Sequence, residues 1–246
     1  MIRIEQVTRR YGDKTAVREL DLNIPRGELF AFLGHNGAGK TTTIKMLVGL
    51  LQPTAGRVLI DGYDVVEDAR EASLRVGYVP DQPYLYDKLS GREFLQFIAD
   101  MYGLPPQVAT RNMERQIEDF GLAGFFDQLA ESYSHGMKQR LVFSSALLHD
   151  PEVLVVDEPM VGLDPRSMRI VKNLMKTRVQ AGASIFMSTH TLAVAEEIAD
   201  RIGVISNGQL RFLGTVEQLR EQLSSNESLE QLFLALTDEE PVSFVS

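Results

Sequence analysis

Short, continuous apolar runs alternate with segments of helical period along most of this chain. Leu29-Phe30-Ala31-Phe32-Leu33, Val153-Leu154-Val155-Val156 and Ser184-Ile185-Phe186-Met187-Ser188 are the clearest of them. Runs of that length without a polar break suit parallel strands buried on both faces. Each is followed by a turn and a helix-compatible segment, the pattern of βαβ units in one sheet. Nearer the N-terminus the period changes to two. Ile2 and Ile4, then Leu20, Leu22 and Ile24, alternate with polar residues and predict half-exposed strands.

The middle of the chain, about 83–150, reads as a helical insert. Ser90-Gly91-Arg92-Glu93 predicts a capping box ahead of a helix that carries Phe94, Phe97, Ile98 and Met101 on one face. Gly103-Leu104-Pro105-Pro106 ends that helix. In the C-terminal tail, about 215–246, Leu229, Leu232, Phe233 and Leu236 are spaced i, i+3, i+4, i+7. That spacing predicts an amphipathic helix packed on its own domain. There is no internal repeat and no long linker, so the expectation is one domain over 1–246.

Composition narrows the class. With 246 residues, 44% of them hydrophobic, the chain can bury a sizeable core unaided. It has no cysteine, which excludes a disulfide framework and a cysteine-ligated zinc site. A net charge of −9 offers no basic face for nucleic acid, so no nucleic-acid partner is expected. No stretch approaches the roughly 20 apolar residues that a spanning helix needs. Met1-Ile2-Arg3-Ile4-Glu5 reads as a strand, not a signal peptide. The expected place of work is the cytoplasm, with any service to a membrane given through a partner.

Two motifs carry chemistry. Gly34-His35-Asn36-Gly37-Ala38-Gly39-Lys40-Thr41-Thr42 contains G-x-x-x-x-G-K-[ST] directly after a strand-like run. Glycines let backbone N–H groups wrap an anion at the positive end of the following helix. Lys40 would reach the β- and γ-phosphates, and the Thr41 hydroxyl would ligate Mg²⁺. This loop is expected to face solvent when no nucleotide is bound. Val153-Leu154-Val155-Val156-Asp157-Glu158-Pro159 then ends an apolar strand in two carboxylates, which is costly unless the strand opens on a polar site. Asp157 would hold Mg²⁺ through water and Glu158 would act as general base on an attacking water. These are the Walker A and Walker B motifs.

Tyr133-Ser134-His135-Gly136-Met137-Lys138-Gln139-Arg140 resembles the signature motif of ABC ATPases, L-S-G-G-Q followed by a basic residue, Gln and Arg. Ser134, Gly136, Gln139 and Arg140 match. Tyr133, His135 and Met137 depart from the commonest form in a way similar to exporter-type members. Gly162-Leu163-Asp164 looks like the D-loop, Ser188-Thr189-His190 ends a strand as the switch histidine does, and Tyr11 is placed like the aromatic that stacks on adenine. The resemblance runs from about residue 2 to 236. One departure lies in Tyr78-Val79-Pro80-Asp81-Gln82, where Asp81 takes the Q-loop position and Gln82 follows one residue late. Either side chain could sense Mg²⁺ and the water.

The resemblance implies an α/β fold: a P-loop NTPase core with a mostly parallel sheet, an N-terminal antiparallel β-subdomain and a helical subdomain at about 83–150. It implies hydrolysis of ATP with Mg²⁺, with Glu158, His190 and Lys40 catalytic. Ser134, Gly136 and Asp164 would serve the nucleotide of a second subunit, in a homodimer or a paired nucleotide-binding subunit. An integral membrane permease would be the other partner, met through Pro83-Tyr84-Leu85-Tyr86-Asp87-Lys88-Leu89-Ser90 on the cytoplasmic face of the membrane. The tail Leu229–Thr237 resembles that of drug- and lipid-exporter ATPases, which points to export. A phosphate-loop GTPase would need an Asn-Lys-x-Asp motif, which the chain lacks. The alternative is a soluble, non-transport ABC ATPase, though repair and ribosome-acting members bring coiled-coil inserts, zinc cysteines or tandem cassettes.

Overall fold

The computed structural model describes residues 1–222 and 229–237. Strands β1 (Ile2–Tyr11), β2 (Lys14–Ile24) and β3 (Leu29–Leu33) lead into helix α1 (Lys40–Leu47). Next come β4 (Ala55–Ile60), β5 (Tyr63–Asp64), α2 (Ala69–Ser73) and β6 (Val76–Val79). Three helices follow: α3 (Gly91–Met101), α4 (Pro106–Phe120) and α5 (His135–Ala146). The chain then forms β7 (Val153–Asp157), α6 (Pro165–Gln180), β8 (Ser184–Thr189) and α7 (Leu192–Ile198). It ends in β9 (Arg201–Ser206), β10 (Gln209–Gly214), α8 (Val216–Arg220) and α9 (Leu229–Thr237).

The three apolar runs become β3, β7 and β8, central strands of a six-stranded sheet in the order β10-β9-β3-β8-β7-β6. All neighbours in it are parallel except β10, which returns antiparallel on β9. The alternating N-terminal segments pair in a separate four-stranded antiparallel sheet, β2-β1-β4-β5.

The two-residue period of the central strands sorts the core into two layers. Leu29, Ala31 and Leu33 join Leu154, Val156, Ile185 and Met187 in a cluster with the helical segments. Phe30 and Phe32, with Val153, Val155 and Phe186, join Ile2, Ile4, Leu20 and Ile44 of the antiparallel sheet and α1. Strands covered on both sides have no polar face to show, which is why their sequences are uninterrupted.

The capping box of α3 forms as its sequence predicts: Glu93 N donates to Ser90 Oγ at 3.2 Å, and Ser90 N donates to Glu93 Oε2 at 2.8 Å. The apolar face is another matter. Phe94, Leu95 and Ala99 are buried, whereas Phe97 is 40% and Met101 70% exposed. Period alone gives a stripe; the positions of α4 and α5 decide which side of it meets the core. Tyr102, after α3, stacks on His149 with ring centroids 3.8 Å apart, and the His149 ring lies 3.2 Å from the Val76 carbonyl. Burial pushes this imidazole down to about 4, so it is neutral and ties the helical segment to β6.

Helix α9 lies on β9 and β10, with Phe233 buried and Leu232 and Leu236 packed on the core, as its spacing predicts. The remainder of the predicted tail, 223–228 and 238–246, lies outside the described residues. Among the described residues no helix is long and apolar enough to cross a membrane.

Candidate functional site

β3 ends at Leu33, and residues 34–39 turn the chain sharply into α1. The turn depends on its glycines. A Cβ at Gly34 would lie 2.5 Å from the Ile205 carbonyl oxygen, and Gly39, at φ 115°, would bring one to 2.7 Å from the Ala16 oxygen. An L side chain at Gly39 would be strained as well as crowded. The loop borders a cavity of about 430 Å³, lined by His35, Asn36, Gly37, Gly39, Lys40, Thr41 and Thr42. Tyr11, Asp81, Asp157 and Glu158 complete its wall, with Lys14 and Ala16, which the sequence reading did not single out.

Lys40 departs from the expectation of a solvent-facing loop. Its side chain is only 6% exposed, and its Nζ donates to the Gly34 carbonyl at 2.7 Å and the His35 carbonyl at 3.3 Å. The same Nζ lies 3.4 Å from Glu158 Oε1. A buried ammonium needs such partners. The loop's own carbonyls and Glu158 supply them.

The carboxylates are braced from β8. Asp157 pairs in register with Ser188, whose hydroxyl donates to Asp157 Oδ1. Ser188 Oγ also accepts from Glu158 N at 3.1 Å. Burial raises the Asp157 carboxyl above its usual range, aided by the nearby charges of Asp81 and Glu158, while the Ser188 bond and Lys40 oppose the rise. Glu158 has φ 47°, a left-handed conformation that costs a non-glycine residue energy and clusters at functional sites. It aims the side chain between Lys40 and His190, whose Nδ1 lies 2.9 Å from Glu158 Oε2. His190 follows β8 directly, so the strand delivers both Ser188 and the imidazole to one carboxylate pair.

Tyr11, at the end of β1, is 47% exposed, and one face of its ring is taken by the Arg9 guanidinium, 4.7 Å from the ring centroid. Arg9 is fixed in turn by a 2.9 Å bond to the Gln52 carbonyl. The tyrosine also lines the cavity of the phosphate loop, where a flat partner could stack on its ring. Asp81 lines the phosphate-loop cavity and an adjoining one of about 630 Å³, whereas Gln82 lines only the second.

Ser134 caps α5, accepting from Met137 N at 3.3 Å, and is exposed. Neither Ser134 nor Gly136 lines the cavity of the phosphate loop. Asp164 caps α6, accepting from Ser167 Oγ at 2.7 Å and from the N–H groups of Arg166 and Ser167. The Ser167 bond leads the causes that hold its carboxyl below the usual range. Asp164 also stands beside the signature loop, 3.5 Å from where a Gly136 Cβ would be. The structure therefore gathers Tyr11, the 34–42 loop, Asp81, Asp157, Glu158 and His190, and sets Ser134, Gly136 and Asp164 apart in a second group.

The chain is similar to known proteins along most of its length. The family model described as "ABC transporter" matches residues 17–161. The Linearmycin resistance ATP-binding protein LnrL of Bacillus subtilis is 34% identical over 226 residues, covering 92% of this chain and 73% of that protein. The Daunorubicin resistance ATP-binding protein DrrA3 of Streptomyces coeruleorubidus is 37% identical over 221 residues, covering 90% and 70%. A solved ATP-binding subunit of an ABC transporter superposes with a TM-score of 0.89 at 31% identity, over 97% of this chain and 100% of that one.

Proposed function

From the premise that this chain belongs to the ABC transporter family, as an ATP-binding and ATP-hydrolysing subunit that energises transport, we propose that it works as a pair. Two copies, or this chain and a paired subunit, close head-to-tail around two ATP molecules and drive export through a membrane permease. One observation carries the pairing: the exposed Ser134 and the half-buried Gly136 do not line the cavity of their own phosphate loop. ATP-binding subunits of the family pair as dimers and serve membrane components, and the resistance names of two relatives support export. We take residues 1–246 as one ATPase domain acting from the cytoplasmic face of the membrane.

In this reading Lys40 leaves Gly34 O and His35 O for the β- and γ-phosphates, and the N–H groups of the loop surround them. Lys40 also parts from Glu158, whose carboxylate then accepts the proton of the attacking water, with His190 orienting it. The water oxygen bonds to the γ-phosphorus, the bond to the β–γ bridging oxygen breaks, and ADP leaves with phosphate. The Thr41 hydroxyl and the Asp157 carboxylate, with Asp81 nearby, are hard oxygen donors suited to Mg²⁺, which takes one or two carboxylates plus substrate phosphates. Bound there, the ion would neutralise phosphate charge.

Tyr11 offers its ring to the adenine from the cavity wall, backed by Arg9. Replacing Tyr11 by alanine should cost about 1–3 kcal/mol of nucleotide affinity, and Tyr11→Phe almost nothing. Because stacking tolerates any base, GTP should compete measurably with ATP. Calorimetry that finds equal ATP affinities for Tyr11→Ala and the wild type would remove Tyr11 from the site.

The permease contact falls on exposed aromatic surface. Tyr84 is 78% exposed, Tyr86 49% and Phe97 40%, with both tyrosine rings and Phe97 in edge contact. Such a patch marks a binding surface. A Tyr84→Asp, Phe97→Asp variant should keep the ATPase activity of the isolated subunit and lose co-sedimentation with membranes. A variant that still sediments fully with membranes places the contact elsewhere, and a wild type that never sediments favours the soluble alternative.

A further inference from the structure

We infer that Thr237, the last residue of α9, is a positioning residue for the phosphate loop and acts through His35. The inference rests on reading residues 34–42 as that loop. Thr237 lies 202 positions from His35 in sequence, yet its Oγ1 is 2.6 Å from His35 Nε2. The hydroxyl is buried and donates to the Phe233 carbonyl at 2.8 Å. The Leu234 carbonyl lies within reach at 3.1 Å as well, so with the single hydrogen on either carbonyl the oxygen is left to accept from the Nε2–H tautomer of His35.

The contact is built, not incidental. The Phe233 ring packs beside the His35 ring, with centroids 5.8 Å apart. The Thr237 carbonyl accepts from Ser206 Oγ at 3.1 Å, and Ser206 is itself buried at the end of β9. The preceding residue, Ile205, is the one whose backbone oxygen excludes a side chain at Gly34. The end of β9, the end of α9 and the start of the phosphate loop therefore form one packed unit.

His35 transmits this to the loop through its backbone. Its carbonyl accepts from Ala38 N at 3.1 Å, which closes the turn, and from Lys40 Nζ at 3.3 Å. With the ring clamped, residues 35–38 keep their shape while Lys40 turns to an incoming phosphate. A loop ordered before binding loses less entropy on binding. Thr237 thus raises nucleotide affinity without touching the reacting atoms.

The test uses the full-length chain, with ATP as probe. Thr237→Val keeps the shape and removes the hydroxyl; it should raise the Kd and KM for ATP about 3- to 10-fold, the size of one hydrogen bond, with kcat within about twofold by the same argument. Thr237→Ser should behave as the wild type. In a His35→Ala background, Thr237→Val should add nothing. The ¹⁵N signal of His35 Nε2 should shift on Thr237→Val, with thermal unfolding lowered by only about 2–4 °C, the scale of one lost hydrogen bond. Should valine disturb the packing, Thr237→Ala gives the same readings. Wild-type affinity in Thr237→Val, tighter binding, failure of serine to rescue, or an equal loss with and without His35 each overturns the inference. ATP binding by the wild type tests the underlying phosphate-loop reading separately, since it does not depend on Thr237.

Discussion

Lys40→Ala is expected to cut ATP turnover on the order of a hundredfold or more, the scale of losing one preorganised electrostatic contact to a transition state. Lys40 is the only cationic side chain within residues 34–39 and the first turn of α1. It is also fully engaged within the protein, with two carbonyls and Glu158 around its Nζ. Deleting it leaves Glu158 Oε1, which has no other hydrogen-bond partner among the described residues, buried beside an unpaired Gly34 carbonyl. A loss of about 1–3 kcal/mol of stability should therefore accompany the loss of activity. Added ATP should stabilise the wild type against heat, by linkage, and the variant much less. Steady-state turnover and thermal unfolding with and without ATP check both halves. Near wild-type turnover in a folded Lys40→Ala protein would refute the placing of this side chain on the phosphates.

What the sequence shows and hides follows from range. The phosphate loop is legible because nine consecutive residues carry it, and its place after β3 needs only the apolar run before it. β3, β7 and β8 are legible for a related reason, since burial on both faces removes every polar break. The hairpin of β9 and β10 also has a local mark, Asn207-Gly208 between two apolar stretches, which the sequence reading passed over.

Other features have no local mark. That Ser188 braces Asp157 depends on the register of β7 against β8, which two separate apolar runs cannot specify. Arg9 beneath Tyr11 is two residues away in β1, on the same side of the strand, yet nothing in an Arg-Arg-Tyr run says which face is used. The exposure of Phe97 and Met101 has the same origin, because they share the stripe of Phe94 but stand beyond the edge of the core. The burial of Lys40 depends on carbonyls that the turn folds back over it and on Glu158, which comes from a distant strand end.

The largest effect expected is on Glu158. Glu158→Gln keeps the side chain's length and its contact with His190 but removes the proton acceptor, so hydrolysis should fall roughly 10²–10⁴-fold. ATP should still bind, and Lys40, no longer paired with a carboxylate, is freer to meet the phosphates. ATP that is not hydrolysed should then hold two subunits together, each γ-phosphate clamped between one phosphate loop and the partner's α5 N-terminus. On size exclusion the Glu158→Gln protein should run as a dimer with ATP and Mg²⁺ and mainly as a monomer without ATP, at high protein concentration and low salt. Adding Ser134→Arg should abolish that dimer, because a bulky cation fills the space of the γ-phosphate contact. Ser134 also caps α5, so the second change costs about 1 kcal/mol through the lost cap alone. Circular dichroism and ATP binding must therefore show the double variant folded and loaded before its elution is read. Where both hold and it still dimerises with ATP as well as Glu158→Gln does, Ser134 has no role at the partner's nucleotide.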